Sequence, residues 1–129
     1  MVTKRQARQS IARLQKGLVF CGEVTGIRQT YYVFKAEGGF FVMSFARSES
    51  KAGSGYFNVV DEKAVDYVRD RFAGDDSVTA KDVVARARRT GHAPTGLVAL
   101  NILYVLVALD QAEIKGAGAH QQLTFSIFP

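Results

Sequence analysis

The segment Leu97 to Leu109, "LVALNILYVLVAL", is apolar but for Asn101 and constrains the fold more than any other stretch of the chain. Thirteen residues fall well short of the roughly 20 that cross a bilayer, so the segment reads as a core or interface helix and no membrane span is expected. Its apolar residues fall on every side of a helix, the pattern of an element covered on both faces. A small domain covers one of those faces with its own core. The other face then requires the N-terminal part of the chain, a second copy, or both.

With 129 residues, 47% of them apolar, the chain has material for one compact domain or two small halves sharing a core. Residues 3 to 15 read as a helix carrying Ile11 and Leu14 on one side and stopped by Gly17. Three β-rich runs follow, "LVFCGEVTG", "TYYVFKAE" and "GFFVMSFAR", with Gly38-Gly39 as a tight hairpin turn between the last two. The polar segment "SESKAGSGY" reads as a connector in the Ser44 to Ser54 loop, and "YFNVV" as a fourth strand. Asp61 caps a helix with Ala64, Val65, Val68 and Phe72 on its inner side, and Thr79 opens another with Ala80, Val83, Val84 and Ala87. After "TGHAP" comes the apolar helix, then the strands "AEIKG" and "QQLTFSIF". The expected class is therefore α+β: a basic helix and antiparallel meander over residues 1 to 60, and a mainly helical half over residues 61 to 129.

Charge is unevenly placed. Residues 1 to 16 hold five bases, Lys4, Arg5, Arg8, Arg13 and Lys16, and no acid, which leaves 12 bases against 12 acids elsewhere. The whole excess of +5 thus sits in the leading segment. Asp61 to Asp76 is acidic and Lys81 to Arg89 basic, an alternation that suits one positive face backed by a negative one. Arg86, Arg88, Arg89 and His92 run straight into the apolar helix, whose free N–H groups already favour anions. The same arginines also suit an ordinary helix end, where cations face the terminal carbonyls.

From Asp61 onward the order helix, turn, helix "TAKDVVARA", turn, longer helix "TGLVALNILYVLVAL", strand, Gly-containing turn, strand resembles a winged helix-turn-helix domain. The resemblance implies that "T-x-K-D-V-V" opens the helix-turn-helix, that "ALDQAEI" hands over to the wing, and that "KGAGAHQQLTFSIF" is the wing, its tip at Gly116 to His120. The first 60 residues carry no family motif. The equivalent of the reading helix departs from the pattern: Thr95, Gly96, Val98 and Asn101 are poor readers of base edges beside the usual Arg, Asn, Gln or Ser.

Three functions follow as expectations. The first is a non-enzymatic, basic protein that binds nucleic acid, duplex DNA above all, as a homodimer and as a transcriptional regulator, through Lys4, Arg5, Arg8, Arg86, Arg88, Arg89, His92, Thr95 and Lys115. The second is a protein-interaction or dimerisation module built on the apolar helix. The third is a metal-dependent nuclease using Asp61, Glu62 and Lys63 with Glu23 or Glu37, although capping by Asp61 explains the same residues without chemistry. No cofactor or metal is expected: His92 and His120 are the only histidines and lack zinc-ligand spacing with Cys21. A nucleophilic serine lacks a Gly-x-Ser-x-Gly elbow. The aromatics of the meander, including Tyr31-Tyr32 and Phe40-Phe41, must alternate between sheet faces, so that one face packs on a helix and the other meets bases or a second subunit. A single cysteine and a basic start without a secretory h-region point to the cytoplasm.

Overall fold

In the computed structural model, residues 18–27, 29–45, 55–117 and 122–129 are described. The expected N-terminal helix, and with it Lys4, Arg5 and Arg8, lies outside them, as does most of the Ser44 to Ser54 connector. Four strands, β1 (Val19–Thr25), β2 (Thr30–Ala36), β3 (Gly39–Phe45) and β4 (Gly55–Asp61), form an antiparallel meander in the order β1-β2-β3-β4. Helices α1 (Glu62–Phe72), α2 (Ala80–Arg86) and α3 (Gly96–Ala108) follow, then a hairpin of β5 (Ala112–Ala117) and β6 (Leu123–Ile127). The class is α+β.

Local chemistry accounts for the helix ends. The Asp61 carboxylate accepts from Lys63 N at 3.0 Å and starts α1, which buries Ala64, Val65, Val68 and Phe72, the four positions its sequence spacing selects. Thr79 and Asp82 form a reciprocal capping box at α2, with distances of 3.1 and 3.0 Å. Val83 and Ala87 are buried there, while Ala80 and Val84 are only half-buried. Thr95 caps α3 by accepting from Val98 N at 3.2 Å. At the other end Asp110 takes the left-handed region, φ 58°, so that Gln111 N reaches Leu106 O at 2.9 Å.

Helix α3 is the centre of the molecule. Asn101 to Leu106 are buried without a break, more than one full turn, so the helix is enclosed all round. It packs on α1, α2 and β5 on one side and on all four strands of the meander on the other. The N-terminal sheet therefore supplies the second cover that the apolar run demands. Asn101, the one polar residue in the run, donates from its amide to Leu97 O at 2.8 Å. Tyr104 stacks on Tyr31 with ring centroids 4.2 Å apart and presents its edge environment to Phe125 at 6.1 Å. One apolar cluster runs from Val33 and Val42 of the sheet through Ile102 and Leu106 to Val68, Val83 and Phe125.

Two glycines allow this approach. A Cβ at Gly22 would lie 3.4 Å from Ala108 O, and one at Gly26 would lie 2.8 Å from the Tyr31 ring and 3.0 Å from the Tyr104 hydroxyl. Val24, Tyr31, Val33, Phe40 and Val42 face inward, as strand alternation requires, and Phe34, Phe41 and Phe57 face outward.

Three expectations shift. The turn between β2 and β3 is Glu37-Gly38, because Ala36 pairs with Gly39, and Gly38 takes φ +77°. Gly39 is a strand residue whose missing Cβ would sit 2.7 Å from Val60 O. Ser44 belongs to β3 and is buried, its hydroxyl donating to Gln29 Oε1 at 2.7 Å. Gly116 is also a strand residue, at an irregularity in the β5–β6 register, so the hairpin tip begins after Ala117 and His120 lies outside the described residues.

Candidate nucleic-acid interface

Arg86, Arg88, Arg89, His92 and Thr95 occupy one continuous corner between α2 and α3. α1 holds this corner in place. Tyr67 donates its hydroxyl to Arg86 O at 3.3 Å and sets its ring 5.0 Å from the imidazole of His92. The guanidinium of Arg86 lies 5.5 Å from the centre of the Phe72 ring, and that of Arg71 lies 5.8 Å from Tyr67. Thr90 ties the turn by donating to Ala87 O at 2.8 Å and accepting from His92 N at 3.1 Å. His92 is half-buried as a result, whereas Arg86, Arg88, Arg89 and Thr95 are exposed.

None of the three arginines forms an ion pair with a described carboxylate. Arg86 borders an open cleft that Asp75, Asp76 and Asp82 also line, so its field is partly offset; Arg88 and Arg89 lie outside that lining. Arg69 is the cation that α1's acids neutralise, at 3.1 Å from both Asp66 and Asp70, and those carboxylates hold its guanidinium pKa up. Lys115 stands apart from the corner on β5, exposed and paired with Glu113 at 3.4 Å. Such an exposed pair contributes little and opens readily.

The topology aims several elements toward one end of the molecule. β1 ends at Thr25 opposite Thr30, and β3 ends at Phe45 opposite Gly55, so these two strand ends lie at the same end of the sheet. α3 runs against β1, since Ala108 meets Gly22 and Tyr104 meets Gly26, and its Thr95 end therefore points toward that same end of the sheet. β5 and β6 also run back along α3, from Phe128 N on Gln111 O at 3.0 Å to Phe125 beside Tyr104.

α3 itself offers no reading surface. Asn101 is buried with its amide turned to Leu97 O, and residues Asn101 to Leu106 are enclosed between the helices and the meander. Of the residues weighed for base contact, Thr95 is exposed, with its oxygen engaged as the cap.

Two of the carboxylates weighed for hydrolysis, Asp61 and Glu62, have structural roles. Asp61 caps α1, Glu62 pairs with Lys35 at 3.2 Å, and Glu23 sits on the far strand of the sheet from Asp61. Among the described residues no group of three His, Cys, Asp or Glu is placed to hold a metal ion, and no helix is long and apolar enough to cross a membrane. Cys21 is half-buried in β1, and burial raises its thiol pKa above the ordinary value.

Sequence reasoning located the arginines but missed what fixes them. Tyr67 reads as one more residue on a helical surface; only the packing of α1 against the corner makes it a clamp. No protein-family model matches the chain, and neither does any curated protein or solved structure.

Proposed function

We propose that the protein is a non-enzymatic nucleic-acid-binding protein that grips duplex DNA by its phosphates at the Arg86 to Thr95 corner, with little reading of base edges. The observation that carries this is the exposure of Arg88 and Arg89, without an ion pair to any described carboxylate, on a turn clamped by Tyr67 and leading into the N-terminus of α3. A fixed cation costs less side-chain and loop ordering on binding than one on a slack loop. The helix terminus adds its own preference for anions. Among the described residues 11 acids outnumber 9 bases, so the corner is a local positive site on a body that is otherwise mildly acidic. The basic leading segment, Lys4, Arg5 and Arg8 included, adds long-range attraction in this reading.

The winged-helix resemblance gains support from Val78. Between α1 and α2 it forms an isolated antiparallel bridge with Phe125, with N···O distances of 2.8 Å in both directions, and so ties the α1–α2 connection to the β5–β6 hairpin. In this reading the hairpin is the wing and Lys115 its phosphate contact. The apolar third helix serves as the spine joining this half to the meander, in place of a reading helix.

The test is a mobility shift with a 30-base-pair duplex at low salt. Retention of the duplex by the native protein and its loss in Arg86→Ala/Arg88→Ala/Arg89→Ala, with the circular dichroism spectrum unchanged, is the expected result. Absence of retention by the native protein, or retention unchanged in the triple variant, overturns the proposal.

A further inference from the structure

The two edges of the meander are unequal. β1 is interrupted where its register skips a residue between Phe20 and Gly22, and it carries the exposed Glu23. A bulge and a charge are devices that stop an edge strand from recruiting another chain. β4 has neither. Its register with β3 is unbroken from Gly55 to Asp61, and the run "GYFNVV" holds no charge and no proline. Phe57 and Val59, on the outer face of this strand, are 53% and 65% exposed, among the most exposed large apolar residues of the described chain.

We infer that β4 is a homodimer interface: two copies join antiparallel, edge to edge, through this strand, so that two four-stranded sheets become one of eight strands. The occupant is a second copy because the strand is complementary to itself. Full overlap of its seven residues places the two-fold axis at Asn58, sets Asn58 opposite its own counterpart, and sets Phe57 opposite the Val59 of the other copy. Every cross-strand partner is then apolar or neutral except the terminal Asp61, which faces Gly55. Phe57 already stacks on Phe41 at 5.0 Å, so the apolar outer row continues across the junction.

Size sets the strength. A strand of this length is roughly 24 Å long, and with side chains above and below the sheet it covers about 480 Å² per copy, against the ~800 Å² per partner of a standard stable interface. The dimer therefore forms and dissociates with concentration.

Sedimentation of the full chain from about 1 to 500 μM tests this, with Asn58→Asp and Asn58→Lys as probes. Each variant alone places like charges opposite each other at the axis and is expected to remain monomeric, whereas an equimolar mixture pairs opposite charges and recovers a species of twice the chain mass. Circular dichroism reports folding of each. If either Asn58 variant does not fold, Val59→Lys, at an exposed position, replaces it and is expected to shift the equilibrium to monomer. A native protein that is monomeric throughout the range, a dimer that both like-charge variants retain, or folded variants whose mixture stays monomeric overturns the inference. Loss of DNA binding with the dimer intact bears only on the corner proposed above.

Discussion

Replacing Tyr104 by alanine tests whether the chain has one core or two. The side chain is 2% exposed and touches both sheets, Tyr31 on one side and Phe125 on the other. Burying its roughly 200 Å² contributes about 5 kcal/mol at about 25 cal/mol per Å². The usual cost of truncating a buried aromatic to alanine is about 3–5 kcal/mol, so a loss near 4 kcal/mol is expected. At about 0.05–0.15 kcal/mol per residue a chain of this length has roughly 6–19 kcal/mol in total, so the variant folds but with a melting temperature lowered by roughly 10–20 °C. Urea unfolding measures the loss, and amide exchange shows where it falls. If α3 is the shared spine, protection at Val33 and Val42 in the meander falls together with protection at Val68 and Val83 in α1 and α2. A loss under about 1 kcal/mol, or a meander whose exchange is untouched while the helices loosen, refutes a continuous core.

Two further outcomes follow from local geometry. Asp110 holds a left-handed backbone at the exit of α3, a conformation that costs a residue with a Cβ roughly 1–2 kcal/mol, so Asp110→Gly is expected to raise stability by up to about 1 kcal/mol in urea unfolding, with no gain counting against strain there. The Cys21 thiol, its pKa raised by burial in β1, holds less thiolate at any given pH below that value than a free cysteine does; alkylation at pH 8 is expected to be slower than that of glutathione, and equal or faster reaction contradicts the burial.

The fold was legible where local rules act alone. Helical spacing selected Ala64, Val65, Val68 and Phe72, cap chemistry selected Asp61 and Thr79, and strand alternation separated Tyr31 from Tyr32 and Phe40 from Phe41. The need for a second cover on α3 was legible too, because an all-round apolar helix admits no other arrangement, but which element supplies the cover is a tertiary fact. The misplaced turn has the same origin. In "EGGF" either Glu37-Gly38 or Gly38-Gly39 can turn, and the choice fell to Gly39 meeting the backbone of Val60, which no local pattern encodes. Ser44 stood at the start of the loop because the Ser- and Gly-rich stretch begins a few residues after it, yet β3 continues through it to Phe45, paired with β4, and its hydroxyl donates to Gln29. At the candidate interface the arginines were visible as a run, while the clamp that fixes them depends on Tyr67, 19 positions before Arg86.

The salt dependence of duplex binding tests the phosphate-gripping corner most directly. Each phosphate contact lowers the slope of log K against log salt by about 0.9, which near 0.1 M salt corresponds to roughly an eightfold change in affinity per contact. For Arg88→Ala/Arg89→Ala the slope is expected to become shallower by about 1.8 and the affinity at 0.1 M to fall about 60-fold, by a similar factor on unrelated duplex sequences. A slope unchanged from that of the native protein, or a loss confined to one sequence, contradicts phosphate binding at the Arg86 to Thr95 corner.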